Sequence, residues 1–300
     1  MTFVVNVIPM ITLSSTAELL GALRHARNVS LTAYTLEPGS VLDGLAQAAR
    51  SGARVTVRLE GYIYKDDGTV GAANAAAVER LRSAGADARL VHPAKDSREG
   101  MLHAKTAVVD GTLFLDDRNW PDDGADTIVR DDFARDAESA LDTASGRADT
   151  PTRFFSIAKR ESLASEARLI AQAGSGDDVI LESESFGASN RVYTALDAAA
   201  LRGAHVRVLV SERDLQNNAN EAGAIAKLRA DGADVRSCQA DEKFAIVNGT
   251  RGWLGSTNAT AAFSHPDQFD WGLRSDASDV LAHERSAFES RWALSTPSSG

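Results

Sequence analysis

The chain has 300 residues and a mass of 31.8 kDa, which is enough for one large hydrophobic core or two of about 150 residues each. A formal net charge of −10 and a sequence pI near 5.1 disfavour a dedicated nucleic-acid binder, which usually carries a basic face. The single cysteine, Cys238, excludes an internal disulfide and any multi-cysteine metal site.

The first segment, residues 1–13, is apolar but does not have the pattern of a signal peptide. No Lys or Arg precedes the apolar run and Pro9 interrupts it, whereas a signal peptide needs a basic start and a small-residue cleavage site. We predict a first β-strand here. No apolar run reaches the roughly 18 residues of a membrane-spanning helix, so we expect no transmembrane segment and a cytoplasmic protein.

Residues 29–61 have the pattern of a strand, a loop, a helix, a glycine and a second strand. Leu42 and Leu45 recur at helical spacing, and a glycine follows the helix where a left-handed cap is needed. Residues 73–91 predict a further helix, glycine cap and strand. Residues 103–119 predict two strands joined by an Asp-Gly turn.

The same order of elements recurs in the second half of the chain. Residues 179–212 match the first strand–helix–strand unit, 219–238 match the next helix and strand, and 241–258 match the hairpin. A polar helix is then predicted after both 126–132 and 270–276. Because element order and type agree throughout, we predict a duplicated α/β unit, each copy a mixed β-sheet flanked by helices.

The polar stretch 145–153 marks the predicted boundary between the copies, because it is rich in turn residues. We therefore predict one repeat over 1–150 and a second over 151–300. A helix predicted over roughly 154–173 has no obvious counterpart before Thr16. We expect the repeats to pack about a pseudo-twofold axis around one shared cleft.

Alignment of the repeats matches His103 and Lys105 with Asp241 and Lys243. Each pair is two residues apart on a predicted strand, so its side chains should point the same way. The other candidate site residues follow the hairpins: Asn119 in the first repeat, and Ser256 and Asn258 in the second. Lysines and asparagines can bind phosphodiester oxygens and a histidine can attack phosphorus. A second group must then protonate the leaving oxygen and activate water.

The segments "HAKTAVVDG" and "DEKFAIVNG", with "GSTN" after the second, resemble the paired H-x-K-x₄-D-G and G-S-x-N motifs of the phospholipase D superfamily. The resemblance implies two tandem α/β repeats and catalysis without a metal or cofactor, in which one histidine becomes a phosphohistidine and the other is the general acid. It implies that His103 is the nucleophile. Asp126 and Asp270 match the position whose carboxylate orients the histidine, and Asp126 is expected to do so because its repeat has the histidine. Phosphate binding would then fall to Lys105, Lys243, Asn119, Ser256 and Asn258.

Three departures separate the chain from that pattern. Asp241 replaces the second histidine, Asn248 replaces the motif's aspartate, and Asp116-Asp117 replaces the Gly-Ser pair in the first repeat. On an active interpretation Asp241 takes the second histidine's part. The pKa of a free aspartate is about 3.9 and neighbouring lysines favour its charged form, so a base is an easier role than an acid. On the alternative interpretation the cleft binds an anionic ligand without turnover.

The acidic stretch from 116 to 126 supplies oxygen ligands for a hard cation, but its spacing fits no metal-binding loop. An exposed polar loop explains most of it, and a metal-assisted reaction is a minor alternative. Asp116-Asp117 would repel a phosphodiester unless a cation or Arg118 offsets the charge.

Three further residues have both a functional and a structural explanation. His265 lies on the loop after "GSTN" and could replace the missing histidine, or it could be a surface residue. Glu182 and Glu184 alternate along a predicted strand and could line the cleft or face solvent.

These patterns favour a phosphodiesterase or phosphatidyl-type transferase acting through His103 on a small phosphodiester or phospholipid-type substrate. The alternative is a catalytically degenerate protein that binds a phosphate ligand on the same scaffold. A nuclease is a weaker alternative because of the net charge of −10. We expect a monomer.

Overall fold

A computed structural model describes residues 10–63, 68–92, 101–120, 127–144, 151–152, 155–188, 190–212, 219–260 and 268–297. These residues form two mixed β-sheets with helices packed against them. The predicted fold class of two tandem α/β repeats around a shared site is confirmed.

The first sheet has seven described strands. They are β1 (Ile11–Ser14), β2 (Asn28–Ala33), β3 (Arg54–Glu60), β4 (Asp87–Val91), β5 (Thr106–Val109), β6 (Thr112–Asp116) and β7 (Ile128–Asp131). Their order is β1-β7-β6-β5-β2-β3-β4, in which β2, β3 and β4 run parallel and the other pairs are antiparallel. The helices of this repeat are α1 (Thr16–His25), α2 (Ser40–Arg50), α3 (Thr69–Ser83) and α4 (Ala134–Ala144). Parallel neighbours need crossover connections, which α2 and α3 supply.

The second sheet repeats this order with one added strand at its edge. Its strands are β8 (Phe155–Ser156), β9 (Asp178–Ser183), β10 (His205–Ser211), β11 (Asp234–Cys238), β12 (Phe244–Val247), β13 (Arg251–Gly255), β14 (Gly272–Ser275) and β15 (Thr296–Pro297). Their order is β8-β14-β13-β12-β9-β10-β11-β15. The helices are α5 (Lys159–Ile170), α6 (Arg191–Leu201), α7 (Ala219–Ala230) and α8 (Ser278–Leu294). Helix α5 lies between β8 and β9, as α1 lies between β1 and β2, so α5 is the counterpart of α1, which begins at Thr16.

The buried apolar residues form three clusters, and one of these clusters contains residues of both repeats. One apolar cluster contains residues of the first repeat alone, from Leu19 to Ile128, and another contains residues of the second alone, from Leu163 to Ala259. The third mixes both repeats, with Leu115 of β6 and Leu254 of β13 among its buried members. The two sheets therefore share one apolar interior, which holds their strand ends in register around the site.

Both predicted hairpins form. Asp110 and Gly111 connect β5 to β6 with φ angles of 48° and 94°, and Asn248 and Gly249 follow β12 with φ angles of 53° and 65°. Such left-handed angles are why Asp-Gly and Asn-Gly suit these turns.

The first strand, predicted within residues 1–13, is observed at Ile11–Ser14, and residues 1–9 lie outside the described part of the chain. The boundary predicted between residues 150 and 151 stays a prediction, since 145–150 are also outside it. No helix among the described residues is long and apolar enough to cross a membrane.

Candidate active site

The two repeats are joined by backbone hydrogen bonds at the predicted nucleophile. Leu102 forms an isolated bridge with Phe269, His103 N donates to Phe269 O at 2.9 Å, and Phe269 N donates to Met101 O at 2.8 Å. This contact places the residue after Leu102 beside the residue after Phe269. His103 and Asp270, which are 167 positions apart, therefore become neighbours.

Asp270 is the carboxylate that contacts His103. His103 Nδ1 lies 2.7 Å from Asp270 Oδ1, and Ser256 Oγ donates to the same oxygen at 3.1 Å. Ser256 Oγ in turn accepts from Trp271 N at 3.0 Å. Burial raises the pKa of Asp270, but its interactions with His103, together with the charges of Lys159 and Lys105, outweigh this effect, and the net shift is downward. An ionised carboxylate only accepts, so His103 carries its proton on Nδ1 and leaves the Nε2 lone pair for chemistry.

Lys105 lies beside the His103 ring. Its Nζ is 3.1 Å from Nδ1 and 3.2 Å from Nε2, so it is nearly equidistant from the two nitrogens and not on the axis of the Nε2 lone pair. Only 2% of Lys105 is exposed, and burial followed by the charge of Lys243 lowers the pKa of Lys105 to about 7. The predicted proximity of His103 and Lys105 is observed, although both precede β5 instead of lying within it.

His103 is held neutral by its surroundings. Burial and then the charge of Lys105 lower its pKa, and together with Lys243 they outweigh the opposite influence of Asp270. Since a neutral imidazole with a free lone pair is the nucleophilic form, the site favours attack by His103 at neutral pH.

The second half of the site retains its lysine but not its histidine. Lys243 is 5% exposed, and its Nζ donates to the backbone oxygen of Asp241 at 2.7 Å. The Asp241 side chain is 53% exposed, and its Oδ2 lies 3.3 Å from Arg118 Nη1. Glu184, just after β9, reaches Lys243 with 3.3 Å between Oε2 and Nζ.

The two asparagines accept hydrogen bonds from equivalent backbone N–H groups in the two repeats. Asn119 Oδ1 accepts from Thr35 N at 3.3 Å, and Asn258 Oδ1 accepts from Ser185 N at 3.1 Å. Each bond ties the loop after a hairpin to the end of the central parallel strand. With Oδ1 engaged in this way, the amide NH₂ is the group that can donate to a ligand oxygen.

Asp116 and Asp117 organise the loop that replaces the Gly-Ser pair. Asp116 is fully buried; Oδ1 accepts from Arg118 N at 3.2 Å and Oδ2 accepts from Trp120 N. Asp117 Oδ1 accepts from Thr127 N at 3.2 Å, which corresponds to the bond from Trp271 N to Ser256. Both carboxylates therefore accept hydrogen bonds from backbone amides, and the charge of Asp116 also acts on Lys105, while Arg118 turns its guanidinium towards Asp241.

The remaining predicted residues fall in different places. Asp126 and His265 lie outside the described residues, so the role of Asp126 in orienting His103 stays a prediction. Glu182 is buried and pairs with Arg291, with 2.8 Å between Oε2 and Nη2, instead of contacting His103 or the two lysines. Burial raises the pKa of Glu182 to about 8. Glu184 does join the site.

Two site residues were missed by sequence reasoning. The Tyr34 ring centroid is 5.1 Å from that of His103, and buried Lys159 lies close enough to Asp270 for its charge to lower the pKa of that carboxyl. The position of Tyr34 just after β2, aligned with that of Glu184 just after β9, was the signal that could have found it. Lys159 lies on the predicted helix 154–173, and no local pattern distinguishes it.

Neither of two sizeable cavities contains His103. One of about 660 Å³ is lined by Ile11, Arg251 and Arg274, and one of about 850 Å³ is lined by Arg27, Arg54 and Asp110. Within the described ranges no group of three or more His, Cys, Asp or Glu residues is arranged to hold a metal ion. The convergence of His103, Lys105, Asp270 and Lys243 marks the candidate site.

The second repeat matches a protein family described as cardiolipin synthase, PLD-like domain, over residues 167–292. Polyphosphate kinase from Porphyromonas gingivalis shares the fold with a TM-score of 0.66 and 15% identity, over 94% of this chain and 50% of that one. Phosphatidylserine synthase from Haemophilus influenzae Rd KW20 has a TM-score of 0.65 and 11% identity, over 94% of this chain and 86% of that one. The present chain thus spans half of that polyphosphate kinase. Comparison with curated proteins finds no match in sequence.

Two tandem α/β repeats with a histidine–carboxylate pair between them define a protein whose site is built from both halves. The second repeat therefore matches a PLD-like domain, as the resemblance to the phospholipase D superfamily predicted, and the fold of nearly the whole chain is shared with the two proteins above.

Proposed function

We propose that the protein is a phosphodiesterase or phosphatidyl-type transferase that works through a phosphohistidine at His103. The observation that carries this proposal is the Nδ1 contact with Asp270, which leaves the Nε2 lone pair of a neutral imidazole available beside Lys105. The fold also occurs in a phosphatidylserine synthase and a polyphosphate kinase, which is consistent with chemistry at phosphorus.

In the first step Nε2 forms a bond to phosphorus while the bond to the leaving oxygen breaks. Lys105 and Lys243 neutralise the charge that develops on the non-bridging oxygens, and the NH₂ groups of Asn119 and Asn258 donate to them. Asp270 stabilises the positive imidazole that attack creates, and Ser256 fixes Asp270. The proposed substrate is a small phosphodiester or phospholipid-type ester, and the proposed state is a monomer.

A catalytically degenerate phosphate-binding protein is the second candidate. Two observations favour it: Asp241 stands in place of the second histidine, and Lys243 is already neutralised by Glu184. In this case the cleft binds a phosphate ester and releases it unchanged.

Hydrolysis of bis(p-nitrophenyl) phosphate by the wild type and by His103→Ala, each with and without EDTA, separates these candidates. The leaving group is good enough that no general acid is needed. We expect EDTA-resistant turnover that falls at least about 1,000-fold in His103→Ala, because the nucleophile is lost. His25→Ala, at the exposed end of α1, is the matched control.

No turnover in any sample, together with saturable binding of the diester, would support the binding protein instead. Turnover lost with EDTA would revive the metal-assisted alternative. Nicking of plasmid DNA at a rate comparable to diester hydrolysis would favour a nuclease over both candidates.

A further inference from the structure

Glu184 occupies in the second repeat the place that Tyr34 occupies in the first. Each is the first residue after the central strand, β9 or β2, and the residue after each donates its N–H to the equivalent asparagine. Tyr34 lies over His103, with 5.1 Å between ring centroids. Glu184 lies 3.3 Å from Lys243, the lysine two residues after the position that lost its histidine.

The environment of Glu184 suits a carboxylate that exchanges protons with a ligand. Its side chain is 33% exposed, whereas the Asp270 side chain is 1% exposed and engaged with His103. Burial raises its pKa, but Lys243, and with smaller effects His103 and Lys105, lower it, and the net shift is downward. At neutral pH Glu184 is therefore ionised, which is the state of a base.

Asp241, the residue that replaces the histidine, is less well placed. Its carboxylate is paired with Arg118, and its charge acts on Glu182 and Cys238, outside the His103 group. The charges that act most strongly on His103 are those of Lys105, Asp270 and Lys243.

We propose that Glu184, and not Asp241, is the general base that activates water in the second step. The inference rests on the proposed function. The Glu184 carboxylate takes one proton from a water molecule, and the water oxygen bonds to phosphorus. The P–Nε2 bond breaks and its electron pair returns to His103. The phosphate monoester leaves, and Glu184 releases its proton to solvent.

The test is rapid-mix hydrolysis of bis(p-nitrophenyl) phosphate by four proteins: wild type, Glu184→Gln, Asp241→Asn and the surface control Glu138→Gln. Nitrophenolate release reports the first step, and mass spectrometry of protein quenched with denaturant at alkaline pH, where a P–N bond survives, reports the modified His103. We expect Glu184→Gln to release one equivalent of nitrophenolate rapidly and then turn over about 100-fold more slowly than wild type, since this is the usual size of a general-base contribution. The modified His103 should accumulate in that variant alone.

A Glu184→Gln protein that turns over like wild type overturns the inference, and so does accumulation of the intermediate in Asp241→Asn instead. In both cases a labelled His103 leaves the proposed function standing. A wild type with neither turnover nor label overturns the proposed function, and this step with it.

Chemical rescue separates a base from a structural residue. Formate should restore part of the turnover of Glu184→Ala, whereas chloride at the same concentration should not. A Glu184→Ala protein that still forms the phosphohistidine but does not respond to formate contradicts the assignment.

Discussion

The two half-sites share a backbone frame and differ in chemistry. In both, a lysine precedes a hairpin, a left-handed Asp or Asn makes the turn, and an asparagine ties the following loop to the central strand. The first half places His103 and Tyr34 over this frame, and the second places Asp241 and Glu184 there. The first half supplies the proposed nucleophile, whereas the second supplies carboxylates and the Asp270–Ser256 pair that contacts His103.

The difference shows which motif residues build the frame and which perform chemistry. Asp110 and Asn248 lie at the far ends of their strands, where each accepts hydrogen bonds from the backbone at the start of β2 or β9. Asp and Asn can both accept there, so one could replace the other without loss of the frame.

Among substitutions that alter the contrast between the two halves, the largest effect should come from Asp270→Asn, which keeps the shape of the side chain but removes its charge. The imidazole loses the partner that fixes its tautomer, and kcat for bis(p-nitrophenyl) phosphate should fall about 100-fold or more. Asp126→Asn is the matched test of the role predicted for that residue. If kcat falls further in Asp126→Asn than in Asp270→Asn, Asp126 and not Asp270 is the residue that orients His103.

A smaller change in the opposite direction is expected when the second histidine is restored. Asp241→His adds a group that can protonate the leaving oxygen, so hydrolysis of an alkyl phosphodiester with a poor leaving group should rise about tenfold. Bis(p-nitrophenyl) phosphate, which needs no acid, should change little. An equal change for both substrates would show that the effect is not proton transfer.

The pH dependence should show the unequal roles of the two lysines. Lys105, with a pKa of about 7, is cationic below that pH and neutral above it, so KM for an anionic diester should increase as pH rises above 7. Because the pKa of His103 is lowered, the acid limb of kcat/KM should lie below the ordinary value of about 6.5. Lys105→Arg should remove the alkaline rise in KM, since arginine stays charged. If KM still rises with pH in this variant, the rise is due to the titration of another group.

The smallest effect is expected from Asp110→Asn, which copies the turn of the second repeat into the first. One acceptor oxygen remains, so the free energy of unfolding in urea should fall by no more than about 1 kcal/mol. Because Asp110 is at the far end of β5 from His103, kcat should be unchanged. A tenfold fall in kcat would show that this residue affects the site after all.

The sequence determined the duplicated fold, the hairpins and the pairing of His103 with Lys105. These features depend on local chemistry: apolar periodicity selects strands and helices, Asp-Gly and Asn-Gly favour left-handed turns, and a spacing of two puts side chains on one side. The same logic made Asn119, Ser256 and Asn258 candidates, and the structure gives each a hydrogen bond at the strand ends around the site.

Only the tertiary structure decided which carboxylate meets which base. Asp270 reaches His103 because the bridge between Leu102 and Phe269 crosses from one repeat to the other. Glu184 forms an ion pair with Lys243, and Arg118 of the first repeat forms an ion pair with Asp241 of the second. Such contacts depend on how two sheets pack across a common apolar layer, and no periodicity within either repeat encodes the distance between side chains on different sheets.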